Sequence, residues 1–112
     1  MAKLKPLLPT LKERKRYVAF KVLTDSKIVF EDCKNAIWNT AIQLFGEVGV
    51  AQMGLYVLPE KYDGNKGILR VAHTHQNHAR MALCFVEKAG NHSCTVRSIV
   101  SSGILKKALQ VL

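Results

Sequence analysis

The chain has 112 residues, 48% apolar and 22% charged, a size and balance that suit one folded domain with its own core and exclude a disordered chain. Seventeen Lys and Arg against eight Asp and Glu leave a net charge of +9, which points to a polyanionic partner, nucleic acid before an anionic membrane surface. Three cysteines without a Cys-x-x-Cys pair exclude a secreted disulfide framework, and no apolar run reaches the ~18 residues of a membrane span.

The charge is uneven. Residues 1–21 hold Lys3, Lys5, Lys12, Arg14, Lys15, Arg16 and Lys21 against Glu13 alone. Pro6 and Pro9 interrupt the apolar stretch there before it could form a signal-peptide core, so the expected home is reducing and cytoplasmic. The same prolines keep residues 1–10 extended, and Thr10 can cap a short helical turn through Arg16. Residues 1–16 read as a basic arm, with a solvated tail as the alternative, and residues 17–112 as a single α+β domain.

Tyr17–Leu23 alternates with period two, Val18, Phe20 and Val22 on one side and Tyr17, Ala19 and Lys21 on the other, which predicts a strand. Phe30–Phe45 has helical spacing: Cys33, Ile37, Ala41 and Leu44 form a stripe that Trp38, Ile42 and Phe45 widen. Gly46 follows as a left-handed cap. Val50–Leu58 reads as a second strand stopped by Pro59, and Asp63-Gly64 as a hairpin turn. A third strand spans Gly67–His73, with Leu69 and Val71 inward and Ile68, Arg70 and Ala72 outward. Asn77 caps a second helix, His78–Lys88, closed by Gly90-Asn91. The fourth strand runs His92–Val100, with Cys94, Val96 and Ser98 opposed to Thr95, Arg97 and Ile99. Ile104–Leu112 forms an amphipathic C-terminal helix.

The order strand-helix-strand-strand-helix-strand is the ferredoxin-like, RRM-like split βαβ sandwich. It has a four-stranded antiparallel sheet, two helices on one face, and here an added C-terminal helix. The second sheet face is left for solvent, a partner protein, RNA or that terminal helix folded back. RNA-recognition versions of the fold carry stacking aromatics on the third strand. Here Lys66-Gly67-Ile68-Leu69-Arg70-Val71-Ala72-His73 keeps the opening Lys-Gly and lacks the rings. Base stacking would have to use Tyr17 or Tyr56, whereas Lys21, Arg70 and Arg97 from three strands suit phosphates of a folded RNA.

Catalytic constellations are weak. His73, His75 and His78 cluster at a strand–helix junction without a nearby Cys or carboxylate to complete a zinc site. Cys33 and Cys94 fall on inward faces, Cys84 sits mid-helix, and none has basic surroundings that would activate a thiol. The acids are scattered, so no catalytic residue, bound metal or cofactor is expected of the chain.

The stretch Leu8–Val22, with its Pro-Thr-Leu-x-x-Arg-x-Arg-Tyr opening, resembles the archaeal ribonuclease P protein component 2 family. So do Ala36-Ile37-Trp38, Leu44-Phe45-Gly46-Glu47, Gly67-Ile68-Leu69-Arg70, Arg80-x-Ala82-Leu83, and Val96-Arg97 through Ser102-Gly103-Ile104-Leu105-Lys106-Lys107. That resemblance implies the same split βαβ fold and a protein subunit that activates a catalytic RNA removing 5′ leaders from precursor tRNA. It also implies magnesium bound by the RNA, and partnership with ribonuclease P protein component 3 and the other protein subunits. The RNA footprint expected here is Arg14, Lys15, Arg16, Tyr17, Lys21, Arg70, Arg97, Lys106 and Lys107. Trp38 and Ile42, on the outer arc of the first helix, are the expected protein contact, with a core role for Trp38 as the alternative. Two other readings fit the same pattern: another RNA-associated, ribosomal-type protein of this fold, or a metal- or small-molecule-binding ferredoxin-like domain.

Overall fold

The computed structural model describes residues 14–63 and 65–112. Residues 1–13 of the expected arm, with its prolines and the Thr10 cap, lie outside the described residues, as does Gly64. Strand β1 (Lys15–Leu23) pairs antiparallel with β3 (Lys66–Ala72) on one side and β6 (Thr95–Ser102) on the other. The short β2 (Tyr56–Val57) adds to the outer edge of β3. The order β2-β3-β1-β6 is the expected split βαβ topology. Lys15 and Arg16, expected in the arm and a helical turn, are ladder residues opposite Ala72 and Val71.

Alternation along β1 is realised on both faces. Val18, Phe20 and Val22 point into the main core with Leu69, Val71 and Val96, under helices α1 (Phe30–Met53) and α2 (Gln76–Cys84). Those helices contribute Cys33, Ile37 and Ala41, and Ala79, Ala82 and Leu83. Gly67 stands opposite Phe20, and a Cβ there would lie 2.8 Å from the Phe20 ring and 2.9 Å from that of Tyr62, so only glycine leaves room for both. Ala19, Ile68 and Leu58 face the other way and are sealed by Ala108 of helix α3 (Leu105–Gln110). The terminal helix therefore folds back onto the second sheet face.

Several expected boundaries differ. Gly46 does take a positive φ (76°), but the chain resumes as helix and continues to Met53, where Gly54 supplies the left-handed cap (φ 62°, ψ 35°). Val50 to Met53, read as strand, are helical because Val50 and Met53 bury against the main core. Only Tyr56 and Val57 of that segment pair as strand. Helix α2 starts at Gln76 after a 3-10 turn over His73–His75 and stops at Cys84. Gly90-Asn91 therefore closes not a helix but a separate hairpin of β4 (Lys88–Ala89) and β5 (His92–Ser93). Strand β6 starts only at Thr95 and carries a bulge: Ala19 faces Val100 while Phe20 faces Ser98, so Ile99 is the extra residue and Val100 turns to the α3 side.

The turn between Asp63 and Lys66 forms where Asp63-Gly64 predicted it, and Asn65 in it has φ 63°. Its side chain accepts the Ile28 N–H (2.8 Å) and donates to the Ser26 carbonyl (2.8 Å), while the Tyr62 hydroxyl donates to the Ile28 carbonyl (2.6 Å). The β1–α1 connector is thereby tied to the β3 hairpin. Asn65→Ala removes both bonds and leaves in the left-handed conformation a residue that tolerates it less well than asparagine, which should cost about 2 to 4 kcal/mol. Asn65→Asp keeps the acceptor and should cost less; equal denaturation midpoints for the two variants would contradict this role.

Candidate nucleic-acid interface

The registers sort the second sheet face into cross-strand rows. One row reads Tyr56, Arg70, Tyr17, Ser102; another reads Lys66, Lys21, Arg97. Between them lies the row of Ile68, Ala19 and Val100, on which α3 sits. The expected single footprint is thus divided: Arg70 stands four residues from Lys66 along β3, ~13 Å at strand rise, with α3 between its row and that of Lys21 and Arg97.

The remaining expected cations collect around the start of β1. Arg14 is exposed, and its carbonyl accepts the His73 N–H at 2.8 Å. Lys15 stretches across Ala72, its Nζ 3.4 Å from where a Cβ on Gly54 would stand. Arg16 has the parity of Val18 and lies on the helix side, with Nη1 3.2 Å from a Cβ position on Gly103. Arg14, Lys15, Arg16, Gly103 and Ile104 line one groove of about 350 Å³. Lys106 and Lys107 are exposed on α3.

Lys66 was not among the expected footprint residues. The expected strand starts at Gly67, yet Lys66 has the parity of Ile68 and Arg70, a signal that places it on the same face. Three cations now face one another across three strands. The one ion pair among the described residues is Glu31–Lys34 (3.2 Å), which involves none of them. Like charges directly opposite destabilise a sheet. Lys66 lessens this by turning its Nζ to the Leu112 carbonyl at the end of α3, 3.1 Å away.

The other candidates separate. His75 and His78 lie 5.3 Å apart by ring centroid and Phe45 meets His78 edge-on at 5.1 Å, whereas His73 is drawn to Arg14. No group of three or more His, Cys, Asp or Glu among the described residues is placed to hold a metal ion. Trp38 is 41% exposed and lies outside the core. It lines a cleft of about 360 Å³ with Lys34, Asn35, Leu55, Tyr56 and Val57, and a second with Ile42, Glu47, Val50 and Ala51. Ile42 itself is half-buried against the main core.

Burial pushes the Cys33 thiol up to about 12 and raises Cys94 as well. Both therefore stay protonated and unreactive near neutrality, whereas Cys84 is exposed. Thiol labelling of the native chain at neutral pH should modify Cys84 rapidly and Cys33 and Cys94 only on unfolding. Rapid labelling of Cys33 would contradict its place in the core.

Residues 16–112 match the model of the Rpp14/Pop5 family. The chain is 31% identical over 109 residues to ribonuclease P protein component 2 of Pyrococcus horikoshii, covering 96% of this chain and 89% of that relative. It is 32% identical over 111 residues to the protein of the same name in Methanobrevibacter smithii, covering 93% and 92%. A chain in the cryo-EM structure of yeast ribonuclease MRP has the same fold, with a TM-score of 0.66 over 89% of this chain and 86% of that one at 11% identity. The chain belongs to the Rpp14/Pop5 family.

Proposed function

We propose that this chain is a protein subunit of ribonuclease P, binding and activating the RNA that removes the 5′ leader from precursor tRNA. Its relatives carry that complex's name, and the observation that favours RNA binding is the Lys66–Lys21–Arg97 row, three cations side by side with no Asp or Glu paired to them among the described residues. Cations fixed on a sheet neutralise phosphates and release counterions, which lets RNA helices approach one another. The groove around Arg14, Lys15 and Arg16, with Lys106 and Lys107, extends the contact, and Tyr17 and Arg70 form its other end. Hydrolysis belongs to the RNA, which holds the magnesium; this chain supplies no acid, base or metal ligand. Ribonuclease P protein component 3 docks on the cleft that Trp38 shares with Ile42, Val50 and Ala51, alongside the other subunits, in the cytoplasm.

Reconstituted cleavage of precursor tRNA, with the RNA, component 3 and this chain omitted in turn, tests the reading. Omitting this chain should depress cleavage at limiting magnesium, and the chain alone should cut nothing. Replacing His73, His75 and His78 together by Asn should leave cleavage intact. Magnesium-dependent cutting by the purified, RNA-free chain would overturn it. Trp38→Ala should fold normally, since the ring is largely outside the core, but fail to retain component 3 in a pull-down; undiminished retention would contradict the docking surface.

A further inference from the structure

Arg70 is held in an unusual way. Its guanidinium Cζ lies 5.1 Å from the centre of the Tyr56 ring, its Nε is sealed from solvent without a hydrogen-bond partner, and no carboxylate among the described residues pairs with it. A planar guanidinium is ordinarily matched to a carboxylate or phosphate fork. Here the guanidinium sits over an aromatic ring instead, and its remaining N–H donors are uncommitted among the described residues.

The surroundings are those of a flat, cationic and aromatic shelf. Register places Tyr56, Arg70 and Tyr17 side by side on β2, β3 and β1. Tyr17 is half-buried against the α3 cluster and closes one end, while Tyr56 is 46% exposed on the two-residue edge strand at the other. Helix α3 covers the neighbouring row, so stacking surface is available at this end of the face and not at its centre. Lys15, lying over Ala72, places a cation next to the row.

Resting on the RNA-binding reading above, we infer that Tyr56 and Arg70 form a stacking site for one unpaired RNA nucleotide. The base lies on the Tyr56 ring, the Arg70 fork takes acceptors of that base or its phosphate, and Lys15 meets the next phosphate. An unpaired base is required because bases inside a duplex already stack on one another. The third strand lacks stacking rings, and the neighbouring strands supply them.

Binding of the full chain to a single-stranded hexanucleotide and to an RNA hairpin duplex, followed by fluorescence anisotropy, tests the site. Tyr56→Phe should match the wild type. Tyr56→Ala should lose about 5- to 150-fold in single-strand affinity at an unchanged salt slope, with duplex binding hardly altered. Arg70→Lys, which keeps the charge without the planar fork, should also weaken the single strand selectively. Undiminished single-strand binding by Tyr56→Ala, equal losses on both RNAs, or a loss confined to component 3 retention would each overturn the stacking site. A wild-type chain that binds neither RNA at low salt would overturn the RNA-binding reading itself.

Discussion

Strand β1 is buried on both faces, and the other elements are placed by what that burial requires. Val18, Phe20 and Val22 need the two helices above them, so α1 and α2 share that side of the sheet. Ala19 points the opposite way and is as fully buried, so something must cover it too. What covers it is α3, whose buried Ala108 joins Ala19, Ile68 and Leu58 in one cluster, and the small side chains in it let the helix lie close to the sheet. Once α3 is seated, the basic residues on either side of Ala19 belong to two separate surfaces. The apolar seat of α3 therefore decides the geometry of the charged face.

The division of the face also distinguishes two kinds of recognition. The row of Lys66, Lys21 and Arg97 is charge without rings and suits phosphates, which fix position and orientation. The row of Tyr56, Arg70 and Tyr17 combines rings with one guanidinium and suits a base. A folded RNA presents both, with paired helices joined by unpaired nucleotides, and a sheet divided by α3 can meet one with each end.

Much of the fold was legible because burial follows period in the elements that matter most. The alternation in Tyr17–Leu23 and Gly67–His73, and the stripe of Cys33, Ile37 and Ala41, correspond to the faces buried in the structure. The segment Val50–Leu58 reads as strand because Val50, Tyr56 and Val57 favour one locally, while burial of Val50 and Met53 against the core holds Val50 to Met53 helical. Gly90-Asn91 is as good a hairpin turn as a helix stop, and only the pairing of Ala89 with His92 separates the two. The bulge at Ile99 leaves no trace in composition, yet it reverses which side Val100 faces. For the candidate interface, strand parity was enough to put Lys21, Arg70 and Arg97 on the same sheet face. Their division into two surfaces was not legible, because the seat of α3 depends on contacts between residues far apart in the chain.

The central claim is that phosphates of the RNA are met by a cation row formed across three strands. It is tested most directly by the salt dependence of binding to ribonuclease P RNA, for the wild type and for a Lys21→Gln, Lys66→Gln, Arg97→Gln triple variant. If each side chain meets a phosphate, the slope of log affinity against log salt becomes shallower by roughly 2 to 3 in the variant. Parallel lines for the two proteins would contradict it.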